Sequence, residues 1–116
     1  MYYNKMDINA FIKDSLVASN ACDTKSYLEK WHTEAILDDP SVGEVFKGHP
    51  GIKKYFENYF IGYKTQTRLV QLDIISGNEA HMEVEFTGQF PEGKIGGTFH
   101  FIFEDGKIAK AEAALV

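Results

Sequence analysis

Two adjacent carboxylates at the end of an apolar run, Asp38-Asp39-Pro40, are the residues whose type and spacing point most directly to chemistry. A carboxylate beside an apolar cavity has its charged form disfavoured by desolvation, which makes it a stronger base for a C–H acid. Alternation along a strand turns neighbours to opposite faces. Asp39 is therefore the catalytic candidate, and Asp38 reads as a solvated carboxylate pointing away. A structural role competes with the catalytic one, because Asp before Pro at a strand end commonly bonds nearby backbone N–H groups in a turn. His32 and His49 could act as acid–base partners near a pocket mouth. Their structural readings are a surface residue and a helix cap before Pro50. No histidine spacing suits a metal, and Cys22, the single cysteine, excludes a thiolate cluster. Gly43 to Gly51 lacks the spacing and the Lys-Ser/Thr ending of a phosphate loop. Neither a metal nor a cofactor is expected.

Around the carboxylate the sequence supplies rings. Trp31, Tyr55, Tyr59, Phe60, Phe86, Phe99 and Phe101, with Met82 and Val84, are the candidate ligand contacts. Aromatic side chains stack on flat apolar molecules and bury large areas. Filling the core is the alternative role for each. Tyr55 and Tyr59 are the strongest contacts, because a buried hydroxyl needs a partner.

The elements that must position these residues follow from periodicity. Ile8, Phe11, Ile12 and Leu16 share one face of a helix over 5–20, with Asp7 or Asn4 as its cap. Asp23 caps a second helix over 24–31, and Cys22 between the two reads as a small, partly buried filler. Ala35-Ile36-Leu37 is a strand that stops at Asp39-Pro40. Residues 41–48 form a loop in which Val45 and Phe46 make a brief edge segment. A helix over 50–60 has Pro50 in its first turn and is stopped by Gly62. The period then changes from 3.6 to 2. Strands are expected at about 65–76, 79–90, 94–104 and 107–115, and Asp105-Gly106 is a strong hairpin signal. On the second of these, Ala80, Met82, Val84, Phe86 and Phe90 share one face, and His81, Glu83 and Glu85 the other. On the third, Phe99, Phe101 and Phe103 oppose Thr98 and His100, so both histidines point outward. Gly88, Gly96 and Gly97 are candidate sites for bulges in strands long enough to have to curl. The order α-α-β-α-β-β-β-β describes an α+β domain: a cone-shaped, curved antiparallel or mixed sheet wrapped around N-terminal helices and enclosing an apolar cavity.

Composition bounds the function classes. The 116 residues allow one domain, 1–116, and 44% hydrophobic content with nine Phe, six Tyr and one Trp argues against disorder. A net charge of −5 and only one basic doublet, Lys53-Lys54, disfavour a nucleic-acid partner. No run approaches a membrane span, and MYYNKMDIN carries no apolar leader, so no membrane partner is expected and the expected location is cytoplasmic.

Two stretches carry a family likeness. The first is Trp31, Ala35, Asp38-Asp39-Pro40, Gly48 and Ile52-Lys53-Lys54-Tyr55-Phe56; the second is His100-Phe101-Ile102-Phe103-Glu104-Asp105-Gly106-Lys107-Ile108. With the element order, they resemble the nuclear transport factor 2-like superfamily, which includes SnoaL-like polyketide cyclases and ketosteroid isomerases. The resemblance covers essentially the whole chain and implies the cystatin-like α+β barrel. It also implies a pocket for a small apolar or aromatic molecule and a homodimer formed through the open sheet face, with Leu69 or Ile75 contributing. In ketosteroid isomerases the Asp before Pro is the proton-shuttling base, which corresponds to Asp39. Their oxyanion hole uses a Tyr on the first helix and a protonated Asp on the penultimate strand. Ser15 and Phe99 stand at those places here and cannot do that work, so ketosteroid isomerisation itself is not expected. Two readings stay open. One is a cofactor-free isomerase, cyclase or hydratase-like lyase with Asp39 as general base. The other is a non-catalytic ligand-binding or dimeric scaffold domain.

Overall fold

Two capped helices begin the described chain. The computed structural model describes residues 6–116. Helix α1 spans Ile8–Asn20, and Asp7 Oδ1 caps it by accepting the Ala10 N–H at 3.1 Å. The alternative cap Asn4 and the expected start at Lys5 lie outside the described residues. At its other end Asp23 N–H donates to the Ala18 carbonyl and Cys22 N–H to the Ser19 carbonyl. This paired closure needs a left-handed residue, and Cys22 supplies it with φ 56°. The reversal leaves the Cys22 side chain exposed, not partly buried as expected. Helix α2 spans Thr24–Glu29, with Asp23 accepting both the N–H and the hydroxyl of Ser26. It stops short of Trp31 because sheet pairing takes over: the Ile108 N–H donates to the Lys30 carbonyl at 2.9 Å.

Strand β1 therefore runs Trp31–Asp39, longer than the Ala35–Leu37 core expected, with Trp31, Ala35, Leu37 and Asp39 turned inward and buried. The edge segment at Val45 and Phe46 is β2, Glu44–Lys47. Helix α3, Gly48–Phe56, runs into a π-helical turn, Glu57–Ile61. The remaining strands are β3 (Gln66–Ser76), β4 (Glu79–Thr87), β5 (Lys94–Glu104) and β6 (Lys107–Leu115). They form one open sheet in the order β2-β1-β6-β5-β4-β3. Only β1 and β6 are parallel; every other neighbouring pair is antiparallel.

The sheet's irregularities lie in β1 between Trp31 and Ile36, in β3 near Val70 and Ile75, and at Ile102/Phe103. They do not fall at Gly96 or Gly97, where β4 and β5 stay in continuous register, and Gly88 follows the end of β4. Gly97 serves packing: a Cβ there would lie 2.5 Å from the Phe86 ring.

Cross-strand partners share a face. Leu37, Ala111, Phe101 and Ala80 are one inward row, and Ala113, Phe99, Met82 and Leu72 the next. The helices cover this face. Ile8 and Ile12 of α1 and Ile52 and Phe56 of α3 are fully buried, and Tyr27 stacks on Phe56 at 4.0 Å. The opposite face carries the row Asp38, Glu112, His100, His81 and Asp73. Both histidines thus point outward, and His100 Nε2 lies 2.7 Å from Glu79 Oε2. Leu69 pairs with Val84 and is therefore on the core side, not on the outer face as expected; Ile75 is 54% exposed.

A candidate ligand pocket beside the end of strand β1

Pro40 ends β1, so the last inward position of the strand falls on Asp39. Its side chain is 5% exposed, whereas Asp38 turns to the outer face. Three donors hold the carboxylate. Ser41 N–H reaches Oδ1 at 3.0 Å and Ser41 Oγ reaches it at 2.5 Å, while Tyr55 Oη donates to Oδ2 at 3.0 Å. The turn reading of Asp39 and a site reading are thus both present in one residue: Oδ1 makes the turn and Oδ2 faces Tyr55.

Tyr55 reaches Asp39 because α3 buries Ile52, Tyr55 and Phe56 at i, i+3 and i+4. His49 anchors that helix to β1 by donating from Nε2 to the Trp31 carbonyl at 2.8 Å. This replaces the expected capping role; the N-cap of α3 is Lys47, without a side-chain bond. His32 stays local, its Nδ1 accepting the Glu34 N–H. Burial, and after it the negative charge of Asp39, holds the Tyr55 hydroxyl protonated well above the usual phenol range. Tyr55 is thus a fixed donor. Burial raises the Tyr27 hydroxyl likewise.

After Phe56 the helix widens into the π-turn, closed by Gly62 N–H to the Glu57 carbonyl and Thr65 N–H to the Phe60 carbonyl. Such turns are rare and shift the following side chains around the axis. Gly62 does not stop the helix by a left-handed backbone, as expected; its φ is −58°, and Lys64 takes the positive value, 52°. Glycine is needed at 62 because a Cβ would meet the Asn58 carbonyl oxygen at 2.7 Å.

Among the described residues two cavities meet at this segment. The outer one, about 300 Å³, is lined by Asp39, Ser41, Val42, Tyr55, Tyr59, Phe60, Tyr63, Thr65, Phe86 and the Phe90–Ile95 turn, with Leu115 at its lip. The inner one, about 40 Å³, lies between α1 and the sheet against Trp31, Met82, Phe99, Phe101, Ser15, Ser19 and Thr67. Phe60 lines both, so its ring is the partition. Among the expected contacts, Tyr55, Tyr59, Phe60 and Phe86 stand with Asp39, whereas Trp31, Met82, Phe99 and Phe101 line the inner chamber. Val84 lines neither; it is 1% exposed and fills the sheet's core. Ser15 and Phe99 do converge on the inner chamber, but Ser15 Oγ already donates to the Phe11 carbonyl at 2.9 Å and Phe99 is stacked on Phe101.

Sequence reasoning missed Ser41, Tyr63, Thr65, Ser19 and Thr67. The Asp-Pro-Ser order carried a signal for Ser41, as an Asp accepting from the N–H two residues on. Ser19 and Thr67 are joined only in three dimensions, by Asn20: its Oδ1 accepts the Thr67 N–H at 2.7 Å and its Nδ2 donates to the Thr67 carbonyl at 3.0 Å. Among the described residues no helix is long and apolar enough to cross a membrane.

Comparison with known proteins agrees with this fold. A family model of the SnoaL-like domain matches residues 12–111. No curated protein sequence matches the chain. SMa1630 of Sinorhizobium meliloti, proposed to be a polyketide cyclase, superposes with a TM-score of 0.81 at 21% identity, covering 96% of this chain and 99% of that one. The epoxide hydrolase/cyclase-like enzyme SalBIII, of pyran ring formation in the polyether salinomycin, gives 0.80 at 17% identity over 93% and 89%. RV0760c of Mycobacterium tuberculosis, solved with estradiol-17beta-hemisuccinate, gives 0.77 at 13% identity over 90% of each chain. At these identities the likeness is one of fold.

Proposed function

Because the chain belongs to the SnoaL-like domain family, we propose that it binds a small neutral apolar molecule beside Asp39 and moves a proton on it. The reaction class is cofactor-free: isomerisation, cyclisation or hydration-type addition and elimination. One observation carries the reading, a buried carboxylate with an open lone pair at the wall of an apolar cavity. A carboxylate offers about four lone-pair positions. Ser41 occupies two on Oδ1 and Tyr55 one on Oδ2. The remaining Oδ2 position is where a ligand's proton would be taken and returned to a neighbouring atom, a step with no net change in redox state.

Tyr55 orients that oxygen and stays protonated while it acts. Tyr59 lines the same cavity and can donate to negative charge developing on the ligand. At about 300 Å³ the cavity sits at the lower end of ligand sites, which favours molecules of one or two rings. The fold shared with SalBIII and SMa1630 supports cyclisation or epoxide opening as the chemistry to try first.

The test is turnover of a panel of monocyclic and bicyclic epoxides, enones and polyketide-like diketones by wild type and Asp39→Asn. The expected outcome is activity that falls at least a hundredfold in the variant, with binding retained. Activity unchanged by Asp39→Asn removes Asp39 from the mechanism. A second reading, a binding domain without chemistry, is favoured by Ser15 and Phe99 at the places where ketosteroid isomerases carry their oxyanion donors. Binding of panel members with no turnover by wild type would select it.

A further inference from the structure

The inner chamber holds two hydroxyls that the protein leaves unpaired. Ser19 Oγ and Thr67 Oγ1 are buried and have no hydrogen-bond partner among the described residues. Their residues are 4% and 7% exposed, and both line the same chamber. A buried hydroxyl without a partner is costly, and native structures rarely tolerate one without a reason. Two from separate elements, meeting in one cavity, share one.

The local geometry brings them together by construction. Asn20 clasps the N–H and the carbonyl of Thr67 on the side of β3 that faces away from β4. That clasp fixes the end of α1 against the start of β3, and the preceding residue, Ser19, lines the same chamber as Thr67. The rest of the chamber wall is aromatic or aliphatic, apart from Ser15, Lys30 and the hydroxyl of Tyr27, which burial keeps protonated. The Ser15 hydroxyl is already donated to the Phe11 carbonyl. The Lys30 ammonium lies 5.3 Å over the Phe11 ring and 3.9 Å from Asp14 Oδ2. The chamber therefore presents hydrogen-bonding capacity with no free charge. Its volume, about 40 Å³, takes about three water-sized positions, the room of a terminal C–OH or C=O group.

We propose that Ser19 and Thr67 form a subsite for one neutral oxygen, a hydroxyl or a ketone, at the far end of the pocket's ligand. The inference rests on reading the cone as a ligand pocket, and it narrows the substrate class to apolar molecules with an oxygen remote from the reacting carbon. The body of the ligand lies by Asp39, and its oxygen passes the Phe60 partition. Ring rotation of Phe60 joins the two cavities.

Trp31, the single tryptophan, lines the inner chamber, so its emission reports entry there and not at Asp39. The probes are 2-decalone and decalin, two colourless bicyclic molecules that differ in one oxygen. Titrations follow Trp31 emission in wild type, in Ser19→Ala/Thr67→Val, and in Thr67→Ser, which keeps a hydroxyl. Circular dichroism checks the fold of each. The ratio of 2-decalone to decalin affinity is expected to fall roughly tenfold in the double variant, the loss of two neutral hydrogen bonds, and to survive in Thr67→Ser. An unchanged ratio overturns the subsite. So does Trp31 emission that neither probe moves in wild type, or a crystal soak in which water stays bridged between the hydroxyls while 2-decalone sits only beside Asp39. None of these results bears on Asp39, whose role is decided by the turnover of Asp39→Asn.

Discussion

Replacing Asn20 with alanine is the sharpest test of how helix α1 is held to the sheet. Among the described residues the side chain alone covers the outward N–H and C=O of Thr67, on an edge strand, through bonds of 2.7 and 3.0 Å. Removing it forfeits two hydrogen bonds and leaves two backbone groups of a residue 7% exposed without partners. Each such group costs about 1–3 kcal/mol, and partial access of water at the edge favours the lower half of that range. The loss is therefore about 2–4 kcal/mol, a large fraction of the ~5–15 kcal/mol that stabilises a typical domain. Urea unfolding followed by Trp31 fluorescence and far-ultraviolet circular dichroism reads it directly. The midpoint should fall with the slope unchanged, because the surface exposed on unfolding is the same. Asn20→Asp, which keeps the acceptor for the N–H but turns an oxygen on the carbonyl, should fall near or below the alanine variant. A loss under about 0.5 kcal/mol for alanine would show that the clasp contributes geometry without stability, and the reasoning would fail.

The remaining expectations are simpler. Tyr27 and Tyr55 stay protonated in the folded chain above the ordinary value of 10.0, whereas both ionise there once unfolded. Stability should therefore decline as pH rises above 10, by about 1.4 kcal/mol per unit for each group, and Tyr55→Phe should roughly halve the slope; an identical alkaline profile would refute the assignment. Cys22→Gly relieves a left-handed backbone at φ 56° that costs about 1–2 kcal/mol, less about 0.5–1 for glycine's extra freedom, so thermal unfolding should shift upward by a few degrees; a lower melting temperature would count against strain there. Self-association through the outer sheet face predicts twice the 13.1 kDa chain mass in light scattering at micromolar concentration, and a monomeric mass would dismiss it.

Much of this architecture is local and so could be read from the chain. Asp7 and Asp23 cap because their side chains reach N–H groups three residues on. Asp105-Gly106 turns because both residues accept positive φ, 52° and 74°. Asp39 and Asp38 separate by alternation alone. What stayed hidden depends on distant partners. Trp31 continues a helical spacing, yet β6 captures its backbone for the sheet. The parallel neighbour of β1 could have been any later strand. The single aromatic pocket expected is two chambers, because the π-turn carries the Phe60 ring between them. Ser19 and Thr67 stand 48 positions apart, and no pattern in either segment announces the other.

The placement of β6 has a consequence for how the chain is made. Residues 107–115 lie between β1 and β5, so a strand made after the other five joins the two halves of the sheet. Helices, the β1–β2 hairpin and the β3–β5 meander can each form from neighbouring residues as they emerge. None can close the core, since Leu37 meets Ala111 and Ala111 meets Phe101 only when β6 arrives. Until then two unpaired strand borders face water. The parallel contact spans more than seventy residues, which places it among the slow, long-range closures. Nascent chains should therefore collect in a two-part state, and loss of β6 would divide the sheet, which loss of the edge strands β2 or β3 would not.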